Sequence, residues 1–256
     1  MNGTNWIGLF TWIRREYDRM LRVVTQVLVA PLISAFLYIF IFGFVLGQKI
    51  SLIAGVPYIS FVFPGILMMN IIQSAFGASS SAVYFGRFMK SIEEILVAPF
   101  SYLEMILGYV LSAVVRTVVI SIGIVIIGIV FGAVSFVHPF YFLFSAVGVS
   151  TIFALLGIIV GLWANGFEQL NVLNTFIITP LSFLGGMFYS ITLLPETLKN
   201  ITLANPFFYF VDGMRYAMIG HSESNLWLGG TLIVGLCLGL GALVWYLFKI
   251  SWRLRE

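Results

Sequence analysis

Charge is what this sequence has least of. Of its 256 residues, 13 are Lys or Arg and 10 are Asp or Glu, 9% together, where an ordinary soluble domain carries roughly 25%. So few charges cannot cover a surface that faces water. Cysteine is nearly absent: Cys237 stands alone inside an apolar run, which excludes a disulfide framework within the chain and a cluster of thiolate metal ligands. Only two histidines occur, His138 and His221, each in a separate break and without neighbouring Cys, His or paired carboxylates. That pattern argues against a zinc site or a Ser-His-Asp arrangement, so no metal and no catalytic residue is assigned. No G-x-x-x-x-G-K-[ST] stretch is present; without that backbone cradle for phosphates the chain is not expected to hydrolyse ATP by itself. The first 25 residues scatter Arg14, Arg15, Glu16, Asp18, Arg19 and Arg22 among apolar residues. Lacking an uninterrupted apolar core and a small-residue cleavage site, they do not read as a cleaved signal peptide.

What the chain has instead is apolar length. Hydrophobic residues make up 61% of it, and the mean hydropathy is +1.07. About 20 apolar residues at 1.5 Å rise cross the roughly 30 Å hydrocarbon layer. Six stretches qualify: 27–47, 58–85, 102–131, 140–164, 172–189 and 226–248. The expected fold is an all-α integral membrane protein with six transmembrane helices. It divides into an amphipathic interfacial helix over 1–25, a transmembrane domain over 26–251 and a basic cytoplasmic tail over 252–256. Pro31 lies in the opening turns of the first span, where a missing N–H matters least. Pro64-Gly65 and the small residues 77–82 are expected to distort or loosen the second span. Glu104 and Arg116 interrupt the third, and the fifth carries Pro180 and Gly185-Gly186.

The breaks between spans are informative. In the amino-terminal segment Trp6, Phe10, Ile13, Tyr17, Leu21 and Val24 fall in one helical stripe, with Arg15, Asp18, Arg19 and Arg22 opposite; such a helix rests in the membrane interface. Residues 87–99 bring Arg87, Lys90, Glu93 and Glu94 together with Phe88, Ile92, Ile95 and Leu96 at helical spacing, the pattern of a short amphipathic helix outside the lipid. His138-Pro139 is the one turn signal before the fourth span, and Asn165, Gly166, Glu168 and Asn171 separate the fourth from the fifth. Between 190 and 224 the apolar sequence is broken by Pro195, Asn205-Pro206, Asp212, Arg215 and His221. No run there reaches spanning length, which points to re-entrant or interfacial segments.

Basic residues set the orientation. Arg14, Arg15, Arg19 and Arg22, then Arg87 and Lys90, then Lys249, Arg253 and Arg255 all fall on one side of six spans, while Lys49, Lys199 and Arg215 fall on the other. The positive-inside rule therefore puts both termini in the cytoplasm. Arg116 belongs to neither group. It either lies deep in the third span, where it needs a partner or a cavity, or snorkels to the inner surface from a helix that extends below the membrane.

Taken together, several stretches resemble the type-2 ABC transporter permeases. They are the basic amphipathic start, Phe61-Val62-Phe63-Pro64-Gly65, Ile92-Glu93-Glu94-Ile95-Leu96-Val97-Ala98-Pro99, and residues 181–189 followed by Leu194-Pro195 and Asn205-Pro206. The resemblance covers nearly the whole chain in order. It implies that 87–99 is a coupling helix seated in a cytoplasmic ATPase, with Arg87, Lys90, Ile92, Glu93, Glu94, Leu96 and Pro99 as its residues. It also implies that Pro195, Asn205, Pro206 and Arg215 belong to short re-entrant helices at the outer exit. It further implies that the chain works in the inner membrane as a homodimer with two ATPase subunits, among membrane lipids and without nucleic acid. ATP and Mg would be bound by the ATPase alone. The implied activity is export of an amphipathic, lipid-like or glycan-linked substrate.

Polar positions inside the spans complete the expectations. Asn70, Gln73, Arg116 and Asn174 are candidates for a pathway or dimer interface, with interhelical hydrogen bonding as the plainer explanation. The competing class is an ATPase-independent carrier or a polytopic enzyme acting on lipids. Such a protein calls for intramembrane Asp, Glu or His, of which the spans hold only Glu104.

Overall fold

The computed structural model describes residues 6–22, 24–47, 49–50, 52–53, 55–92 and 100–253. Helix α1 is Trp6–Arg22 and α2 is Ala30–Tyr38, the latter flanked by π-helical turns at Thr25–Val29 and Ile39–Val45. Strands β1 (Leu52–Ile53) and β2 (Val56–Pro57) form a minimal antiparallel ladder. Then come α3 (Tyr58–Phe88), α4 (Tyr102–Val130), α5 (Pro139–Trp163) and α6 (Phe167–Leu173). A third π-turn, Asn174–Ile178, leads into α7 (Thr179–Leu184). A 3-10 turn at Ile191–Leu193 precedes α8 (Glu196–Ala204), α9 (Pro206–Ile219) and α10 (Leu226–Lys249).

Four of these helices, α3, α4, α5 and α10, are long and apolar enough to cross a membrane. Helix α3 is the axis of the fold, with 83% of its most apolar stretch buried against 17% for α10. Its closest partner is α5, and glycine explains why. A Cβ on Gly157 would stand 2.6 Å from the Phe76 carbonyl oxygen, and one on Gly161 2.7 Å from that of Ser80. Only a hydrogen at these two positions lets the backbones approach so closely, the small-xxx-small contact that drives helix association in lipid. The small residues 77–82, expected to loosen α3, are instead its packing surface: Ala78, Ser79, Ser80 and Ala82 are buried in an unbroken helix.

Around that pair lie two cores. The larger joins Phe61, Phe63, Ile66, Leu67, Ile71 and Ile72 of α3 to Val149, Ile152 and Phe153 of α5, and to Phe210, Val211 and Met214 of α9. The second, at the end where α5 stops, joins Trp12 of α1, Val83 and Ile92, Met105 and Tyr109 of α4, and Leu162 and Phe248. Helix α4 begins with a capping box. The Ser101 hydroxyl accepts from the Glu104 backbone N–H at 3.3 Å, and the Glu104 carboxylate accepts from the Ser101 backbone N–H at 2.7 Å. Glu104 therefore interrupts no span; it serves the orphan donors of the first turn.

The remaining apolar stretches are bent. Residues 25–45 are helical throughout but wind as π, α and π, and residues 167–184 wind as α, π and α. Pro31 and Pro180 occupy the same place, the second residue of the α-turn that follows a π-turn. The ring has no N–H to give and crowds the carbonyl four residues back, so the preceding turn widens by one residue. The fifth stretch also starts earlier than expected, at Phe167 rather than at 172, and stops at Leu184 rather than at 189. Two more boundaries differ: α3 runs on to Phe88, so Arg87 sits in its last turn, and the all-α expectation gains a two-residue β ladder. Most of the helix expected at 87–99 lies outside the described residues, as does the end of the basic tail.

Candidate functional site

Polar chemistry gathers at the two ends of the α3–α5 pair. At the end where α3 stops and α5 ends, the Arg87 guanidinium turns inward: Nη1 donates to the carbonyls of Gly161 (3.1 Å), Leu162 (2.7 Å) and Ala164 (3.1 Å). Lys90 is exposed and holds a positive φ of 57°. Ile92 is only 1% exposed, a member of the second core rather than of the surface. Glu93, Glu94, Leu96 and Pro99 lie outside the described residues.

Helix α1 lies against α4 on the flank between its apolar and basic stripes. Trp12 is 8% exposed and packs edge-on against Phe100 and Tyr109, filling the space that Gly108 leaves. Phe10 and Tyr17 face outward, as do Arg14, Arg15 and Arg22; Arg19 belongs to the same helix. One turn beyond Trp12, Glu16 and Tyr17 line a small cavity with Tyr109, Ser112 and Arg116 of α4 and with Val27. Arg116 thus stands where the interfacial helix gives way to the bent stretch 25–45.

The other three pathway candidates do not meet Arg116. Asn70 bonds back to the Ile66 carbonyl of its own helix at 2.9 Å. Gln73 donates to the Thr179 hydroxyl (3.3 Å), which donates to the Asn174 carbonyl (2.8 Å), so α3 is tied to the π-turn of the fifth stretch. The Asn174 side-chain oxygen is buried with no hydrogen-bond partner among the described residues, and it borders a small cavity with Gly77, Ser80, Ser81 and Asn171.

At the opposite end, α8 and α9 are too short to cross a bilayer, having 9 and 14 residues. Pro195 caps α8. Asn205 caps α9, accepting from the Phe207 N–H at 3.0 Å while its amide donates to the Leu181 carbonyl at 2.7 Å, and Pro206 takes the first helical position. Inside α9, Asp212 and Arg215 are fully buried. The Arg215 guanidinium reaches the Gly186 carbonyl (2.8 Å), the Phe61 carbonyl (3.5 Å) and the Glu223 carboxylate (3.5 Å), lies 3.9 Å from Asp212, and stacks over the Phe61 ring at 3.9 Å. Asp212 accepts from the backbone N–H groups of Glu223 (2.9 Å) and Ser224 (3.0 Å) and from the hydroxyls of Ser222 and Ser224. Glu223 in turn accepts from Ser190 and from the Ile191 N–H. Burial lowers the Arg215 pKa from the usual arginine range, and the Asp212 and Glu223 carboxylates pull it back up.

Glu223 was not singled out in the sequence. Its neighbours Ser222 and Ser224, and the Asp212/Arg215 spacing of three, are the only local signs of a buried ionic cluster, and neither fixes which loop acid completes it. Among the described residues no group of three or more His, Cys, Asp or Glu could hold a metal ion.

Comparison with known proteins bears on this arrangement as a whole. Residues 8–219 match the family described as ABC-2 type transporter. Inner membrane transport permease YadH of Escherichia coli (strain K12) is 33% identical over 252 residues, covering 98% of each chain. Nodulation protein J of Rhizobium meliloti (strain 1021) is 27% identical over 224 residues, covering 86% of this chain and 83% of its own. The same protein from Rhizobium leguminosarum bv. viciae is 24% identical over 247 residues, covering 96% and 90%. The matched region runs from α1 through the α3–α4 connection to the end of α9, and the chain belongs to the ABC-2 type transporter permeases.

Proposed function

We propose that this chain is the membrane-spanning subunit of an ATP-driven exporter whose ATPase is a separate polypeptide. The family match over residues 8–219 carries the reading. In this reading the bent stretches 25–45 and 167–184 cross the bilayer beside α3, α4, α5 and α10, giving six spans. At about 1.5 Å per residue they extend roughly 31 and 27 Å, close to the thickness of the hydrocarbon layer. Six crossings return both ends to one side, and the basic residues of α1, the α3 terminus and the tail favour the cytoplasm for that side. The relative named as an inner membrane permease supports the same membrane here.

Coupling enters through residues 87–99, where exposed Lys90 with Glu93, Glu94, Leu96 and Pro99 meets the ATPase. Two copies of the chain and two ATPase subunits form the working unit, with ATP and Mg held by the latter. The pathway, apolar apart from residues such as Gln73 and Asn174, suits an amphipathic, lipid-like or glycan-linked substrate, and α8 and α9 flank its outer exit.

Co-expression with the neighbouring genes tests this directly. The chain, purified from native membranes, brings down a Walker-motif ATPase, and reversing the charge of Glu93 and Glu94 together removes it. Isolation of the wild-type chain with no ATPase bound ends the reading.

A further inference from the structure

The inner end of α5 has a hydrogen-bonding problem that its own sequence does not solve. A helix leaves its last four carbonyls without intrahelical donors, here those of Val160, Gly161, Leu162 and Trp163. The Ala164 N–H serves Val160 at 2.8 Å. The usual remedy for the rest is a left-handed glycine just past the end, but Gly166 comes late and is not in that conformation. Instead, two arginines from distant parts of the chain take over. Arg87 Nη1 donates to Gly161 and Leu162, and beyond them to Ala164. Arg253 Nη1 donates to Trp163 at 2.7 Å and to the Asn165 side-chain oxygen at 3.3 Å. Both cations sit at the negative end of the helix dipole.

The backbone bends unfavourably beside both arginines. The described residues have three non-glycine positions with positive φ, Lys90 (57°), Ser251 (53°) and Arg253 (53°). Lys90 lies three residues after Arg87, Ser251 two residues before Arg253, and the third is Arg253 itself. Side chains rarely adopt that conformation unless surrounding contacts impose it. Lys90 and Ser251 stand just past the ends of α3 and α10, where a left-handed residue commonly closes a helix, and their N–H groups return to the Arg87 and Phe248 carbonyls.

We propose that Arg87 and Arg253 are positioning residues for coupling: Arg87 fastens the last turn of α3, and Arg253 the turn after α10, to the inner end of α5, so that a push on the end of α3 moves α3 and α5 together. The inference rests on the exporter reading above. Without the lock, the same push is absorbed by the last turn of α3 shifting against α5. With it, force passes into the pair whose backbones already touch at Gly157 and Gly161.

The test uses the chain in lipid nanodiscs, with and without its co-expressed ATPase, as wild type, Arg87→Gln, Arg87→Lys, Arg253→Gln and the double Gln variant. Hydrogen exchange is read on residues 87–92 and 160–166, and ATP hydrolysis is read on the complex. Each arginine makes charge-assisted bonds, so Arg87→Gln should speed exchange in both segments and cut permease-dependent hydrolysis by about tenfold, with Arg253→Gln smaller at about threefold. The ATPase still co-purifies in the wild-type amount, and Arg87→Lys recovers part of both readouts. The double variant falls short of the product of the singles, because both arginines act on one helix end.

Unchanged exchange overturns the proposal, and so does faster exchange with full hydrolysis, which leaves the arginines a structural cap only. If Arg87→Gln yields no monodisperse protein, Arg253→Gln and Arg87→Lys decide by the same readouts. A wild-type chain that binds no ATPase refutes the exporter reading instead, a result that co-purification reports separately.

Discussion

Arginine ties the molecule together at both ends, in opposite ways. At the α9 end Arg215 is fully buried, matched by Asp212 and Glu223, and joined to the start of α3, the turn after α7 and the loop before α10. At the opposite end, where α5 stops, Arg87 and Arg253 face helix carbonyls, and the bonds of Arg253 are exposed. A buried ion pair carries a desolvation penalty that its attraction only partly offsets, and breaking it leaves a stranded charge. A charge capping a helix near water can be lost and replaced by solvent at small expense in free energy. The difference sets a cluster that holds its shape against a helix cap that solvent can replace.

Four substitutions can break or sharpen that contrast, the largest first. Arg215→Ala leaves two acids buried without a counter-charge and should destabilise the fold by about 3–5 kcal/mol, seen as loss of a monodisperse peak or a collapse of the thermal transition in detergent. Retention of wild-type stability would mean that the Arg215 cluster is wet and the contrast empty. Gly161→Leu, midway between the effects of the two ends, forces side-chain atoms against the Ser80 carbonyl and should cost about 1–3 kcal/mol by the same measurement. Ser101→Ala removes the cap of α4 and should cost about 1 kcal/mol, with faster hydrogen exchange confined to the first turn of that helix. Arg253→Gln should shift stability by no more than about 1 kcal/mol, while still quickening exchange at residues 160–166. If it instead unfolds the protein as Arg215→Ala does, the two ends are alike.

Much of this was legible from one dimension. Long apolar runs, uncharged but for Glu104 and Arg116 in α4, gave the positions of α3, α4, α5 and α10, because lipid demands about 20 apolar residues in helical form. Pro195 and Asn205-Pro206 read only as breaks in an apolar stretch, and the short helices around them came from the family resemblance; in the structure Asn205 caps α9. Local signals failed where two interpretations share a pattern. Small residues 77–82 loosen an isolated helix but admit a close neighbour in a packed one, and only α5 decides between them. Glu104 reads as a charge in a span until Ser101 is seen to share its hydrogen bonds.

What the sequence determined by itself is the solvent this protein lives in, the lengths of its main helices and its family, since hydropathy and motif order are properties of the chain alone. The tertiary structure alone decided the partners of its arginines. Arg87 reaches carbonyls 74 to 77 residues away, Arg253 reaches back 90, and Arg215 meets Phe61 across 154. No local pattern encodes such distances. A guanidinium binds whatever acceptors the folded helices bring within its fork, and a helix end exposes its carbonyls whichever residues lie there.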